Sequence, residues 1–430
     1  MKLIIVFFFF LIFAKLFLFW LWLWQLKEYH LGRFLAHFKE GQAVKKIISS
    51  FWRLKYPKFT KKVIAIFFTG ALLALLTLKF DPSKLAPLYI FTLIIFVPLF
   101  FQIITVIWRK RLLRKARLKR EGFKNLLVIG ITGSYGKTST KEFLYGILSQ
   151  KFRVLATKEH QNSEVGIAGC ILNELKPEHE IFIVEMGAYN KGGIKLLCDM
   201  VHPKIGILTG INEQHMATFG SQENIIKTKY ELIESLPQDG MAFFNAKNKY
   251  CVELYNRTEI KKFLYGLDAT FFGQENILGA QAVARELGIT AENSSQPKFL
   301  SMRRGINGLN IIDSTYSANP TGVIAHLDYL KTLRQAQGKL IIVMPCLIEL
   351  GSASKDVHRR IGQKISEVCD LAIITTEDRF KEIHETAGDK AIFIESPIKI
   401  FERIKSFARE GDVVLLESRV PNKLISLLHV

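Results

Sequence analysis

At 430 residues the chain is long enough for two or three domains, and 49% of it is hydrophobic. Its formal charge of +20 belongs almost wholly to one end: residues 1–125 hold 23 basic and 4 acidic side chains, whereas residues 126–430 hold 36 and 35. That split excludes a nucleic-acid groove as the source of the basicity and points to anionic lipid headgroups; five widely spaced cysteines without a CxxC pair exclude a disulfide scaffold or thiolate metal centre and leave reduced, structural thiols.

In chain order, residues 1–26 are apolar apart from Lys2, Lys15 and Gln25 and carry no small-residue cleavage site. The run can cross a hydrocarbon core of roughly 30 Å, so an uncleaved transmembrane helix is expected rather than a signal peptide. Residues 63–80 are at the short end for a span and could instead be a buried core helix; 86–108, ending in Trp108, is a stronger candidate. The segment Lys27–Lys62 has ten Lys or Arg against Glu28 and Glu40, and "RKRLLRKARLKR" at 109–120 has eight with no acid. Basic flanks face the cytoplasm. The expectation is a multi-pass protein of the cytoplasmic membrane, with 1–125 as its membrane segment, lipid as a partner and the catalytic domains in the cytoplasm.

After Gly122 the pattern changes to short β-rich runs alternating with helical ones: "LLVIGIT", "IFIVEMG", "KIGILTGI", "KLIIVMP", "LAIITTE" and "DVVLLES". Such alternation predicts an α/β fold with parallel sheets and covering helices. The Ser-, Asn- and Pro-containing stretch "TAENSSQPKF" divides the runs into a domain over 126–295 and another over 296–430.

The first run leads into "ITGSYGKTST" at 131–140. A strand, a Gly-rich turn and a helix start leave several backbone N–H groups aimed at one point, where the helix dipole also favours an anion. Gly133 and Gly136 would allow close approach, Lys137 would reach the terminal phosphates and the Thr138 hydroxyl would hold Mg²⁺. The strict phosphate-loop pattern asks for glycine where Ile131 stands, so the match is to T-G-S-x-G-K-T. Glu185 ends the second run and His215 lies in "INEQHMATFG" after the third. At the carboxyl ends of neighbouring parallel strands they would sit beside the cradle and, with Thr138, supply Mg²⁺ ligands.

These residues resemble the Mur ligase family. The loop "TGSYGKTS", the Glu of "EMGAYNKGG", the His of "EQHMATFGS", Lys229 in "IIKTKYELIESLP" and the asparagine of "FFNAKN" occur in family order. "DSTYSANPTG" at 313–322 and "IELGSASKDVH" at 349–358 resemble the branch that adds D-alanyl-D-alanine. The resemblance implies a P-loop ATPase domain followed by a Rossmann-like ligase domain. It implies an ATP- and Mg²⁺-dependent peptide ligase of peptidoglycan-precursor synthesis, which activates a muropeptide carboxylate as an acyl phosphate for attack by an amine. The muropeptide would be nucleotide- or lipid-linked, the amine an amino acid or dipeptide.

By the same resemblance the nucleotide would be held by Thr132, Gly133, Ser134, Gly136, Lys137, Thr138, Ser139, Asn245, Arg303, Arg304 and Asp313. The metal would be held by Thr138, Glu185 and His215, and substrate by Asn162, Tyr316 and Asn319. Lys137, His215 and Lys229 would serve catalysis. Lys229 matches a lysine that is commonly carbamylated in the family, with Lys227 as a neighbouring candidate. The pattern departs at Glu275 and Gly279, where the family has His and Asn, at Ser314 for an acid, at Pro345 and Cys346 for Gly-Asp, and at Glu417 where a Lys-Gly is usual. The family's UDP-gripping N-terminal domain would be replaced by the membrane segment. A membrane-associated poly-γ-glutamate-type ligase and a catalytically degenerate, tethered nucleotide-binding scaffold are the alternative readings.

Overall fold

A computed structural model describes residues 2–26, 52, 55–80, 86–158, 161–289, 302–315, 319–334 and 338–429, with no side-chain description for 2–10, 77–80, 86–92, 94 and 95. The proposed linker and Tyr316 lie outside the described residues. The chain divides into two compact units, 1–114 and 115–430.

The first unit is helical, formed by Lys2–Leu26, Lys61–Phe80 and most of the long helix Ala86–Glu121. Phe13, Phe17 and Leu21 of the first helix pack with Val63, Ile66 and Ala74 of the second and Val97 of the third. Gly70 makes the approach possible, because a Cβ there would lie 2.5 Å from the Phe17 ring. Among the described residues no helix is long and apolar enough to cross a membrane. Part of the apolar surface of these helices is buried in helix–helix contact, while Phe68, Leu72, Phe96, Phe100 and Ile103 stay exposed.

This corrects the expectation of N-terminal transmembrane helices, and with it the multi-pass membrane placement and the lipid partner. The basic run 109–120 is not simply a headgroup-facing flank either. Arg120 is buried, and its guanidinium donates to the carbonyls of Val201 (2.9 Å), Phe123 (3.3 Å) and Leu126 (3.5 Å).

The second unit carries two six-stranded sheets. The first runs β2-β3-β1-β4-β5-β6, with β1 Leu127–Thr132, β2 Val154–Ala156, β3 Ile181–Glu185, β4 Ile205–Leu208, β5 Met241–Asn245 and β6 Lys261–Tyr265. All its pairings are parallel. The second runs β11-β10-β9-β12-β8-β7, with β7 Met302–Arg304, β8 Asn310–Ser314, β9 Leu340–Met344, β10 Leu371–Ile374, β11 Ala391–Phe393 and β12 Val413–Glu417. Only β7 is antiparallel to its neighbour.

All six β-rich runs read from the sequence are strands. Their near-continuous apolar character follows from burial on both faces, the usual state of parallel strands under helices. One face of the first sheet packs Ile129, Ile131 and Phe243 against the helices Lys137–Leu148 and Gln274–Glu286. The other face meets Gln222–Glu234, so closely that a Cβ on Gly130 would lie 2.7 Å from Leu232. All five cysteines are free and buried, and burial pushes the thiols of Cys170, Cys198, Cys251 and Cys369 up to about 12, as structural thiols require.

Candidate active site

In the first sheet β1 lies between β3 and β4, so the chain leaves β1 toward one side and returns on the other. The crevice opened at the carboxyl ends of such strands is where open α/β sheets bind ligands. Here it collects the phosphate loop after β1, Glu185 at the end of β3 and residues 209–215 after β4.

The loop's glycines are fixed by space. A Cβ on Gly133 would lie 2.1 Å from the Thr209 hydroxyl, and one on Gly136, whose φ is 78°, would lie 2.4 Å from Asn276 Oδ1. Thr132 Oγ1 donates to Met186 O at 2.9 Å, and the Ser134 N–H donates to Gly210 O at 2.6 Å. Lys137 opens the following helix and turns its ammonium onto Gly133 O at 2.7 Å. Burial lowers its pKa, against the pull of Glu185. Ser139, two residues on, is exposed.

Glu185 is the centre of the polar cluster. Thr138 Oγ1 donates to its Oε2 at 2.9 Å, Asn162 Nδ2 donates to its Oε1 at 3.0 Å, and the fully buried Lys141 ammonium stands 3.7 Å from Oε2. Asn162, expected on substrate, thus orients the carboxylate in this structure. Lys141 was not singled out from the sequence, although its spacing of four from Lys137 puts both on one side of the helix.

His215 heads the short helix Met216–Phe219 in a left-handed conformation, with Nδ1 2.7 Å from Glu349 Oε2. Burial lowers its pKa, opposed by the Glu349 hydrogen bond. Among the described residues no group of three or more His, Cys, Asp or Glu forms a metal cluster.

Lys229 and Lys227 separate cleanly. Lys229 is 2% exposed on the helix Gln222–Glu234, and burial, followed by the Lys137 charge, brings its pKa down to about 7. Lys227 faces solvent and pairs with Glu223.

The remaining expected contacts are dispersed. Asn245 spends its amide on the backbone, donating to Thr209 O (2.6 Å) and accepting from Lys247 N–H (2.9 Å). Arg303 and Arg304 lie exposed on the edge strand β7, where Arg304 pairs with Glu410. Asp313 accepts from the Thr315 N–H and hydroxyl in the turn after β8. Asn319 caps the helix Pro320–Leu333 and accepts from Asn212 Nδ2 at 3.1 Å. Asn212, missed in the sequence, also donates to Thr321 and, through its backbone, to Ser134, so it ties the phosphate loop to the C-terminal domain.

Beside this tie lies a cavity of about 560 Å³ lined by Phe271, Phe272, Pro320, Thr321, Ile324 and Tyr329 among others. Phe272 packs against Tyr135 of the phosphate loop, with ring centroids 5.7 Å apart. The cavity is large enough and apolar enough for a flat organic group next to a phosphate site. Glu275, standing where the family has histidine, is buried; its carboxylate accepts from the Gly273 N–H at 2.7 Å, and burial raises its pKa.

Residues 131–296 match the family profile described as the Mur ligase middle domain, and residues 300–419 match the Mur ligase glutamate ligase domain. A UDP-N-acetylmuramoyl-tripeptide–D-alanyl-D-alanine ligase of Bacillus subtilis is 28% identical over 73% of this chain and 76% of its own. The enzyme of the same name from Synechocystis is 30% identical over 55% of this chain, which spans 59% of that relative. Among solved structures, the MurF ligase of Thermotoga maritima in complex with ADP superposes with a TM-score of 0.63 at 26% identity, covering 74% of this chain and 83% of that one. The two adjoining profiles take in both sheets and the whole polar cluster, and the chain belongs to the Mur ligase family.

Proposed function

We propose that the chain is an ATP-dependent ligase of peptidoglycan-precursor synthesis. It joins D-alanyl-D-alanine, or a similar amine, to the carboxylate of a UDP-linked muramoyl peptide through an acyl phosphate. The observation that carries this reading is the meeting of Thr138 and Glu185 beside Lys137 at the end of β1, with Lys229 buried near enough for the Lys137 charge to be felt. The names of the relatives supply the substrate pair.

The phosphate loop does the binding: its glycines admit a phosphate chain close to backbone N–H groups at a helix start. Lys137 stands at hand to neutralise charge that spreads over a transferring phosphoryl group. The Thr138 hydroxyl and Glu185 carboxylate are hard oxygen donors that suit Mg²⁺, an ion that keeps several waters and takes few protein ligands. When bound, Mg²⁺ supplies further charge neutralisation to phosphoryl transfer. Asn162 fixes the rotation of the Glu185 carboxylate, and His215 would be the third ligand.

A lysine with a pKa of about 7 is neutral in a large fraction of molecules at physiological pH, so its lone pair can add to CO₂. The N–C bond forms, a proton leaves to solvent, and Lys229 carries a carbamate carboxylate. The apolar cavity beside the loop is the place for the nucleoside base. Domain contact through Asn212, Asn319 and Thr321 brings the amine-binding side to the activated carboxyl.

Phosphate release tests the reading. The full chain with ATP, Mg²⁺, UDP-muramoyl tripeptide and D-alanyl-D-alanine should release phosphate only when all are present and lengthen the peptide by one dipeptide. Tight ATP binding without phosphate release with any amine would overturn it in favour of a nucleotide-binding scaffold.

A further inference from the structure

The C-terminal domain reaches His215, on the metal side of the crevice, through Glu349. Glu349 Oε2 lies 2.7 Å from His215 Nδ1, with both side chains largely buried. An ionised carboxylate only accepts, so Nδ1 carries the proton and donates, and Nε2 is left with the lone pair that a cation needs. Carboxylate partners of this kind set the tautomer and ring direction of metal-binding histidines.

Backbone geometry marks the contact as built. His215 and Glu349 both have φ of 66°, and only five non-glycine residues among those described have positive φ. Two unfavourable conformations that aim two side chains at each other are not explained by a casual ion pair, and such strain collects at functional sites.

Each partner is also pinned. Thr218 and Phe219 donate backbone N–H groups to His215 O at 3.0 and 3.1 Å, and the Tyr189 ring meets the imidazole edge-on with centroids 5.0 Å apart. The Ala217 N–H donates to Glu349 O at 3.0 Å. A Cβ on Gly351 would lie 3.0 Å from the Ala217 backbone, so the two chains meet backbone to backbone. Behind Glu349, the Leu347 N–H donates to His358 Nε2 at 2.9 Å, and His358 Nδ1 lies 2.6 Å from Ser354 O, to which it donates. The "IELGSASKDVH" segment is thus a turn braced by its own histidine, with Glu349 presented to the other domain.

We propose that Glu349 is a positioning residue that acts through His215: it fixes the imidazole tautomer and direction from the C-terminal domain, so the cation site of the central domain is completed across the domain boundary. The proposal rests on the reading of His215 as a metal ligand. It assigns a role to a residue that touches neither nucleotide nor cation.

The test needs no turnover. Mn²⁺ binding to the full chain with a non-hydrolysable ATP analogue is followed by electron paramagnetic resonance in wild type, His215→Ala, Glu349→Gln, Glu349→Asp and Glu349→Gly. The expected loss of Mn²⁺ affinity is about 10-fold for Glu349→Gln, which keeps a neutral acceptor, and up to about 100-fold for Glu349→Gly. Glu349→Asp recovers part of it. Glycine also relieves the positive φ, so that variant should melt no lower than wild type, which separates lost positioning from lost folding. If His215→Ala weakens Mn²⁺ while the glutamate variants bind it normally, the inference is overturned and the ligand stands. If His215→Ala itself binds Mn²⁺ normally, the ligand reading fails and the inference falls with it.

Discussion

The carboxyl edges of the two sheets have diverged differently from the family pattern. At the first sheet Lys137, Thr138, Glu185, His215 and Lys229 are all retained, and four of them are joined by hydrogen bonds to backbone or to one another. At the second sheet the pattern fails at Pro345 and Cys346, after β9, and at two further places, Ser314 standing for an acid and Glu417 where a Lys-Gly is usual. In sequence these are separate losses 103 positions apart; in the structure Ser314 and Glu417 are paired in register on neighbouring strands β8 and β12. His326 Nδ1 lies 2.6 Å from Glu417 Oε2 and 3.2 Å from Ser314 Oγ. An acid kept at 314 would face a second buried carboxylate, a costly arrangement of like charges. The first edge keeps the phosphate-site residues that the resemblance names, whereas at the second edge the two departures Ser314 and Glu417 meet at one side chain, His326.

The largest expected effect breaks the retained side. Lys137→Ala should lower kcat about 10³-fold, roughly 4 kcal/mol of transition-state stabilisation, while circular dichroism and melting stay as in wild type. A variant that forms product at the normal rate would remove the phosphate end from the chemistry.

Sequence reading succeeded where a residue's neighbours are local. The phosphate loop and the six apolar runs depended on short-range pattern, and the structure places them in a turn and in strands; Lys229 was named from its position in the family motif, and it lies in the interior. The sequence reading leaves out β5 and β6, "MAFFN" and "KKFLY", although "PQDG" before the first and Gly266 after the second mark their ends. Glu349 and Asn212 were quoted or passed over without a role, since their partners lie 134 and 107 residues away. The transmembrane reading rested on hydropathy, the basic flanks and the missing cleavage site, and hydropathy does not distinguish a helix buried against helices from one facing lipid.

The exchanged side is sharpened by a double-mutant cycle. Burial raises the pKa of Glu417, and its Oε1 has no hydrogen-bond partner, so the pocket is already under electrostatic load. Glu417→Lys places an ammonium beside His326 and should cost about 3 kcal/mol in urea denaturation. Adding Ser314→Asp should recover more than half of that loss. Strictly additive effects would show that the two departures arose independently.

Lys229 probes the interior between the two edges through pH. Its native pKa is about 7, below the ordinary 10.5, so between these values the unfolded chain binds more protons. Stability contributed at this site therefore rises with pH from 7 to 10.5, by at most about 1.4 kcal/mol per unit, and is flat below 7, where both states are protonated. Lys229→Met should erase that rise in denaturation curves taken at pH 7, 8 and 9. An unchanged pH profile would place the ammonium in contact with solvent and remove the basis for carbamate formation.

The smallest expected effect concerns β7, the only antiparallel strand of its sheet, which sits at its edge and offers two arginines of one family motif. Arg304 is committed to Glu410 in an exposed pair, and such pairs contribute little, so Arg304→Ala should change stability by no more than about 0.5 kcal/mol and leave the KM for ATP alone. Arg303 alternates to the other face of the strand and has no ion pair among the described residues. If one of the two serves the nucleotide it is Arg303, and Arg303→Ala should raise the KM for ATP several-fold with kcat nearly constant, the signature of lost uniform binding. Should both variants keep the wild-type KM, β7 takes no part in nucleotide binding, and the C-terminal contribution to the crevice narrows to the Asn212–Asn319 tie and Glu349.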